Sequence, residues 1–198
     1  MLFVLTGASC SGKTQIAERC RAIENLAVFD FDEHGVPDVA GTEWRQRTLD
    51  GWIRVAIDQQ ELGNDTLLAG PNPLGEVLAS PLATRLDGIA VLLVDVDDYE
   101  RIARMERRSP TALYLDGGRG ILGWADWHRR HARDPRHAQH WITTNAWDEM
   151  KWNRWTRLPP RSWHVDTIDT TELPLDDAVA QVTEWIARER VAVPPVDA

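Results

Sequence analysis

Eight consecutive residues near the start of the chain have the types and the spacing that bind a row of phosphate groups. They are Gly7, Ala8, Ser9, Cys10, Ser11, Gly12, Lys13 and Thr14. The glycines let the backbone curl until its N–H groups converge, a path that a Cβ atom would obstruct. In this pattern the lysine reaches the β- and γ-phosphates, and the threonine hydroxyl binds Mg²⁺. We therefore predict that this segment, the phosphate loop, binds ATP, with Lys13 as a catalytic residue and Thr14 as a metal ligand.

The residues on either side of the phosphate loop supply the context that the motif requires. The apolar run Leu2–Leu5 precedes it and is typical of a buried strand, and Gln15–Cys20 has helical character. A helix that begins at the loop adds the partial positive charge of its N-terminus to the phosphate site. This strand–loop–helix setting favours a nucleotide site over a Gly/Ser-rich turn that binds nothing.

Two carboxylates at the end of the next apolar run are the second candidate for chemistry. Residues 26–32 read as a strand, so Asp30 and Asp32 are expected to share a face and to project beyond its carboxyl end. Phosphoryl transfer to an alcohol needs charge neutralisation and a carboxylate to accept the hydroxyl proton. We predict Asp32 as the catalytic base and Asp30 as part of the Mg²⁺ shell. Glu33 and His34 are alternative bases, and the two aspartates could instead be strand-end polar residues or helix caps.

A basic segment is the third feature. Residues 101–161 contain 13 Lys or Arg against 6 Asp or Glu, a surplus of +7, so the net charge of −9 leaves −16 for the rest of the chain. A basic segment in an acidic protein favours contact with phosphates over a merely solvated surface. Arg104 and Arg108 lie one turn apart on a predicted helix and share a face. They are candidate contacts for ATP.

Residues 109–161 differ from the rest of the chain in composition. They hold six of the ten tryptophans, namely Trp124, Trp127, Trp141, Trp147, Trp152 and Trp155. Near-helical spacing favours core packing of a helical insertion, with aromatic walls for a ring-bearing substrate as the alternative. The segment is also the candidate lid, because a kinase must keep water from the reacting phosphoryl group.

Four histidines in the same segment have spacings that could bind zinc if the two pairs converged. They are His128, His131, His137 and His140. No cysteine lies nearby and Pro135 separates the pairs, so surface or substrate-contacting histidines are the favoured interpretation.

Apolar runs and helical periodicities alternate along the chain. Strands are predicted at residues 2–5, 26–32, 65–70, 88–96 and 162–169. Helices are predicted at residues 15–20, 42–62, 74–79, 97–108 and 173–190. This alternation predicts an α/β domain with a five-stranded parallel sheet, helices on both faces and ligands at the carboxyl ends of the strands. The core would comprise residues 1–108 and 162–190, followed by a flexible tail at 191–198.

The overall composition narrows the class of protein. Of the 198 residues, 43% are hydrophobic and 27% charged, as in ordinary globular proteins. No apolar run approaches the roughly 18 residues of a membrane-spanning helix, and the net charge argues against nucleic acid as a partner. Two cysteines fit a reducing compartment better than a disulfide framework. We expect a cytoplasmic monomer or homodimer that uses ATP and Mg²⁺.

Together these motifs resemble those of the small P-loop kinases, the group of adenylate, shikimate and gluconate kinases and antibiotic phosphotransferases. The resemblance rests on the phosphate loop, on Asp30-Phe31-Asp32, which is similar to the D-x-D of shikimate kinases, and on two further stretches. Residues 101–108 resemble the helix that leads into the family's lid, and residues 166–171 its adenine-side loop. The resemblance implies the P-loop nucleotide-hydrolase fold with a helical lid. It also implies a Mg²⁺-binding first carboxylate and a second that contacts the acceptor hydroxyl.

One departure from that family concerns the acceptor. Adenylate kinases carry an Asp before the Gly that ends the third strand, and Ala69 stands there in this chain. We therefore expect an ATP-dependent kinase acting on a hydroxyl of a small molecule. A nucleoside or nucleotide kinase is the alternative within enzymes, and an ATP-binding switch that transfers no phosphate is the alternative outside them.

Overall fold

Five parallel strands form the centre of the computed structural model, which describes residues 1–108, 119–156 and 163–192. They are β1 (Leu2–Thr6), β2 (Leu26–Asp30), β3 (Asp65–Ala69), β4 (Ile89–Asp95) and β5 (Asp166–Asp169). The spatial order is β2-β3-β1-β4-β5, and every neighbouring pair is parallel. The predicted α/β class and five-stranded parallel sheet are thus confirmed. Because β1 is the central strand, the phosphate loop leaves the middle of the sheet, between the ends of β3 and β4.

Helices cover both faces of the sheet, as predicted. They are α1 (Lys13–Cys20), α2 (Thr42–Glu61), α3 (Leu74–Ala79), α4 (Asp98–Arg108), α5 (Arg119–Arg133), α6 (His140–Thr143), α7 (Asn153–Thr156) and α8 (Leu175–Ala192). Short 3₁₀ turns lie at Phe31–His34 and Ala83–Arg85. None of the helices in the described residues is long and apolar enough to cross a bilayer.

Successive side chains of β1 point to opposite faces of the sheet and belong to two separate cores. Leu2 and Val4 face one side of the sheet and pack with side chains of α2, α3 and α5. Phe3 and Leu5 face the other side and pack with side chains of α1 and α8. All four side chains are fully buried, as expected for a central strand of a parallel sheet. The sheet therefore holds the phosphate loop on a rigid base.

Several predicted boundaries are wrong, and three of them are those of the second strand, the last strand and the final helix. The second strand ends at Asp30 rather than at residue 32, because the chain turns into a 3₁₀ helix there. The last strand begins at Asp166 rather than at residue 162. The final helix continues to Ala192, past the boundary predicted at residue 190. Residues 193–198 of the predicted tail lie outside the described part of the chain.

The predicted lid or insertion is described only over residues 119–156, which we call the tryptophan-rich segment. Residues 109–118 and 157–162 lie outside the described part. Within the tryptophan-rich segment, Trp127, Ile142 and Trp155 are at most 2% exposed and belong to the same core as β1 and α2. Trp127 and Trp155 are packed in the core, as the favoured interpretation of these tryptophans predicted.

Candidate functional site

The phosphate loop joins β1 to α1 through backbone angles that most residues avoid. Gly7 has φ +143° and Gly12 has φ +97°. A Cβ atom at Gly7 would come within 2.3 Å of the Val94 carbonyl oxygen on β4. Cys10, with φ +65°, takes a left-handed conformation that is uncommon for a residue with a side chain. The loop therefore lies tightly against β4 and depends on glycine at position 7.

Lys13 begins α1 and turns its ammonium group back over the phosphate loop. Its Nζ donates to the Ala8 carbonyl oxygen at 2.9 Å and to Ser11 Oγ at 3.4 Å. Burial, followed by the positive charge of Arg101, lowers the pKa of Lys13 to about 8. A phosphate group beside Nζ would favour the charged form of the lysine. The site is therefore electrostatically prepared for an anion.

Thr14 and Asp30 lie side by side at the ends of α1 and β2. Thr14 Oγ1 donates to Asp30 Oδ2 at 2.6 Å. Both are oxygen ligands of the kind that Mg²⁺ prefers. Among the described residues, no group of three or more His, Cys, Asp or Glu could hold a metal ion. A Mg²⁺ bound between Thr14 and Asp30 would therefore complete its shell with water and phosphate oxygens, as this ion commonly does.

Asp32 lies in the 3₁₀ turn after β2, so the prediction that it shares a strand face with Asp30 is wrong. The reason is a reciprocal cap: Asp30 Oδ1 accepts the Asp32 N–H at 3.0 Å, and the Glu33 carboxylate accepts the Asp30 N–H at 3.1 Å. The turn nevertheless leaves Asp30 and Asp32 lining one cleft. Desolvation, and then the charge of Asp30, raises the pKa of Asp32 above its ordinary value.

The two alternative bases have other contacts. Glu33 accepts the Asp30 N–H in the cap and also pairs with Arg21, whose Nη2 lies 3.2 Å from it. The imidazole of His34 lies 3.9 Å from the ring centre of Trp52. Neither of these residues lines the cleft that Asp30 and Asp32 share.

The two predicted arginines of α4 differ in what they bind. Arg104 donates to the Thr170 carbonyl oxygen at 2.6 Å, to Thr170 Oγ1 at 3.1 Å and to Glu100 at 3.0 Å, and it lies 3.4 Å from the Cys10 carbonyl oxygen. Its guanidinium group is thus engaged with the protein itself. Arg108 is exposed and lines the cleft, and its charge acts to lower the pKa of Asp32.

A cleft of about 880 Å³ at the carboxyl edge of the sheet brings most of these groups together. Of the predicted site residues it is lined by Gly7, Ser9, Cys10, Ser11, Gly12, Lys13, Thr14, Asp30, Asp32, Arg104 and Arg108. Ala8 is buried and does not line it. The sequence motifs assigned no individual role to the lining residues Phe31, Arg107, Leu173, Leu175 and Ala178. Trp124, a candidate aromatic wall, and Thr170, in the stretch that resembles the adenine-side loop, also line the cleft. The cleft thus combines cations at the phosphate loop with carboxylates and apolar side chains.

Sequence reasoning missed two side chains that bind the phosphate loop. Arg101 is fully buried, and its Nη1 donates to the Ser9 carbonyl oxygen at 2.6 Å. Thr170 Oγ1 lies 2.9 Å from the Ser11 carbonyl oxygen. Both residues occur in stretches that resemble the kinase family, but only the folded chain brings them to the loop. No local spacing signals this contact.

The histidines of α5 are not at the surface, so the surface interpretation is wrong for His128 and His131. They are 2% and 1% exposed, because α5 packs against β4 and turns them inward. Burial lowers the pKa of His131 to about 4 and that of His128 well below its ordinary value. Both are therefore neutral at pH 7. The described residues contain no group of three or more His, Cys, Asp or Glu that could hold a metal ion. The alternative that the four histidines bind zinc therefore has no support within the described residues.

Comparison with known proteins places the fold. No protein-family model matches the chain, and no curated protein matches it in sequence. Among solved structures, an unliganded sugar kinase from Janibacter sp. HTCC2649 is similar, with a TM-score of 0.55 and 15% identity over 94% of each chain. A protein named APE1195 is similar with a TM-score of 0.56 and 17% identity over 95% of each chain. A thymidylate kinase from Candida albicans matches with a TM-score of 0.48 and 11% identity over 99% of this chain and 97% of its own. With its central phosphate loop and five-stranded parallel sheet, the chain has the fold of the small P-loop kinases, as the sequence resemblance implied.

Proposed function

We propose that the protein is an ATP-dependent kinase that transfers the γ-phosphoryl group to a hydroxyl of a small molecule. The observation that carries the proposal is the shared cleft of about 880 Å³, in which Lys13 and Thr14 face the carboxylates Asp30 and Asp32. A protein that only binds ATP with Mg²⁺ has no need of Asp32, the proposed proton acceptor. The sugar kinase named above is a structural neighbour whose name agrees with a hydroxyl acceptor.

In this proposal the phosphate loop holds ATP by its backbone N–H groups and Lys13 stabilises charge on the transferring group. Arg108, exposed at the edge of the cleft, is the arginine best placed to reach phosphates. Arg104 contributes through its contacts with Cys10 and Thr170. Leu173 and Leu175 offer apolar surface for the adenine ring.

The proposed Mg²⁺ ligands are Thr14, directly, and Asp30, through water. Their oxygens lie 2.6 Å apart in the same cleft as Lys13, and both are oxygen ligands of the kind that Mg²⁺ prefers. When bound, Mg²⁺ neutralises charge on the phosphates. Asp30 also caps the 3₁₀ turn that carries Asp32. In this proposal the same residue therefore helps to bind Mg²⁺ and holds the base in position.

Asp32 is the proposed base that accepts the proton of the attacking hydroxyl. It is exposed in the cleft, whereas the carboxylate of Glu33 is engaged in the cap. Its raised pKa makes it a better proton acceptor than an ordinary aspartate, because efficiency rises as the pKa approaches the working pH. A small hydroxyl compound is therefore the proposed partner. The proposed setting is the cytoplasm, and the proposed assembly is a monomer or homodimer.

The test is a screen of sugars, nucleosides and antibiotics for an ATP-dependent gain of one phosphoryl group, detected by mass spectrometry. The native protein should phosphorylate at least one class, and Asp32→Asn should bind ATP with unchanged affinity while losing transfer by about 10²-fold or more. Nucleosides as the only acceptors would select the nucleoside-kinase alternative. Tight ATP binding with no acceptor in any class, and no hydrolysis, would select the switch and overturn the proposal.

A further inference from the structure

Three consecutive carbonyl groups of the phosphate loop are bound by side chains from outside the loop. The Ser9 carbonyl accepts from Arg101 at 2.6 Å, the Cys10 carbonyl lies 3.4 Å from Arg104 Nη1, and the Ser11 carbonyl lies 2.9 Å from Thr170 Oγ1. Lys13 adds a fourth contact, to the Ala8 carbonyl at 2.9 Å. A peptide unit whose carbonyl is held on one side presents its N–H on the other. The arrangement therefore leaves the N–H groups available for an anion.

The three donors outside the loop are themselves fixed by one another and by the end of β4. Arg101 is fully buried and donates to Asp95 at 2.6 Å and to the Val96 carbonyl at 3.0 Å. The Thr170 N–H and hydroxyl both lie 2.9 Å from the Asp95 carbonyl oxygen. Arg104 binds Thr170 through two nitrogens. These donors thus form one connected network rather than three separate contacts.

The network also extends to the tryptophan-rich segment. Arg129 of α5 donates to the second carboxylate oxygen of Asp95 at 2.5 Å, and to Asp98 at 2.8 Å. Asp95 is therefore shared between Arg101, behind the phosphate loop, and Arg129. Its negative charge offsets the two guanidinium groups, which are buried or partly buried. Removing a charged group from water costs less free energy when the group is paired with an opposite charge.

The loop needs such support because its backbone is not in a relaxed conformation. Cys10 has φ +65°, a left-handed conformation that is energetically unfavourable for a residue with a side chain. A loop that had to be ordered by the nucleotide would lose part of the binding energy to that ordering. We propose that Arg101, Arg104 and Thr170 are positioning residues, a carbonyl bracket that holds the phosphate loop in its anion-binding shape before the nucleotide arrives.

The bracket rests on nucleotide binding and not on phosphoryl transfer, so its test uses affinity alone. Calorimetric titration with ATP and with inorganic tripolyphosphate separates the phosphate loop from the base-binding part of the cleft. Thr170→Val removes the hydroxyl at nearly constant volume, and it should weaken binding of both ligands by the same factor, about five- to tenfold. Thr170→Ser, which keeps the hydroxyl, should restore both affinities.

Several outcomes would overturn the bracket. Weakening of ATP alone would mean that Thr170 contacts the base, and unchanged affinities would mean that the loop keeps its shape without the hydroxyl. Failure of the native protein to bind tripolyphosphate would contradict a preformed anion site. The matched control is Thr183→Val on α8, whose hydroxyl donates to the Val179 carbonyl at 2.8 Å and touches no part of the loop. It should leave both affinities unchanged even if it lowers the unfolding temperature.

A second variant distinguishes geometry from charge. Arg101→Lys keeps the positive charge behind the loop but loses the planar fork that reaches Ser9 and Asp95 together. The bracket predicts weaker tripolyphosphate binding, again by about five- to tenfold. Native affinity in a folded Arg101→Lys protein would overturn the role of Arg101. If the variants bind as predicted but the native protein phosphorylates no acceptor, the bracket is supported and only the proposed kinase activity is refuted.

Discussion

The phosphate loop and the tryptophan-rich segment both concentrate side chains capable of chemistry, but the fold uses them differently. Seven of the eight predicted residues of the loop line the cleft. In the tryptophan-rich segment, Trp127, His128 and His131 are at most 2% exposed, and Trp124 is its one residue along that cleft within the described chain. The residues of one region line a cleft, and the other region buries several of its aromatic side chains in the core.

The difference shows which sequence signals determine local geometry. In the phosphate loop, the spacing of Gly7, Gly12 and Lys13 determines a local backbone path, so the proposed function can be inferred from neighbours in sequence. In the tryptophan-rich segment, the signal is composition, and an aromatic side chain stabilises a core as readily as it lines a site. Five predictions test this contrast, in order of decreasing expected effect.

The largest effect should come from Lys13→Ala. Loss of the ammonium group removes charge stabilisation at the transferring phosphoryl group, so turnover with any acceptor should fall by about 10³-fold or more while the fold is retained. Steady-state kinetics measures the turnover, and circular dichroism shows whether the fold is retained. Lys151→Ala, at an exposed position of the tryptophan-rich segment, is the matched control and should leave turnover unchanged. Equal turnover in the two variants would contradict a catalytic role for Lys13.

Trp127→Ala should act on stability instead. The indole is 2% exposed, stacks on Trp124 and His131, and donates to the Ala138 carbonyl at 3.1 Å. Its removal leaves a cavity, so the free energy of unfolding should fall by about 3–5 kcal/mol in urea titrations. Trp141→Ala, at a side chain that is 40% exposed, should cost much less. Similar losses at both positions would remove the distinction between core and surface tryptophans.

The buried histidines should make the protein sensitive to acid. Burial lowers the pKa of His131 to about 4 in the folded chain, below the ordinary value of 6.5, so the unfolded chain takes up the proton first as pH falls below 6.5. The stability contributed by neutral His131 is therefore lost between about pH 6.5 and 4, up to about 3 kcal/mol. Urea titrations across that range measure the slope, and His131→Phe should reduce it. The same change at the exposed His140 is the control, and an equal reduction there would contradict the assignment.

Asp30→Asn should raise the Mg²⁺ requirement by about tenfold, because the amide keeps an oxygen for the cap but loses the charge that attracts the ion. The midpoint of activity in a Mg²⁺ titration measures this. Asp32→Asn, two residues away in the same cleft, should depress turnover and leave that midpoint in place. Identical midpoints for the two variants would show that the proposed division of roles is wrong.

The smallest effect concerns motion of the tryptophan-rich segment. Because Trp127 and Trp155 belong to the core, we expect a non-hydrolysable ATP analogue to slow amide hydrogen exchange little in residues 119–156. Exchange in residues 7–14 should slow strongly, since their N–H groups would hold phosphates. Comparable protection in both regions, with a change in tryptophan fluorescence, would show that the tryptophan-rich segment closes as a lid.

The sequence predicted most of the fold and most of the residues that line the cleft, and its errors at the end of β2 and at His131 have separate physical causes. Alternating apolar runs predicted five parallel strands because burial on both faces leaves a local pattern. The end of β2 was misplaced because Asp30, Asp32 and Glu33 form a reciprocal cap, and side-chain hydrogen bonds compete with strand pairing. The burial of His131 escaped prediction because it depends on which face of α5 meets the sheet.

By itself, the sequence determined the local path of the phosphate loop, since Gly7, Gly12, Lys13 and Thr14 are neighbours whose geometry is local. The tertiary structure alone decided what surrounds that loop. It brought Arg101 and Thr170 to the carbonyls of Ser9 and Ser11, across 92 and 159 residues of chain. Such contacts follow from the order of strands β1, β4 and β5 in the sheet, and no spacing along the chain encodes them.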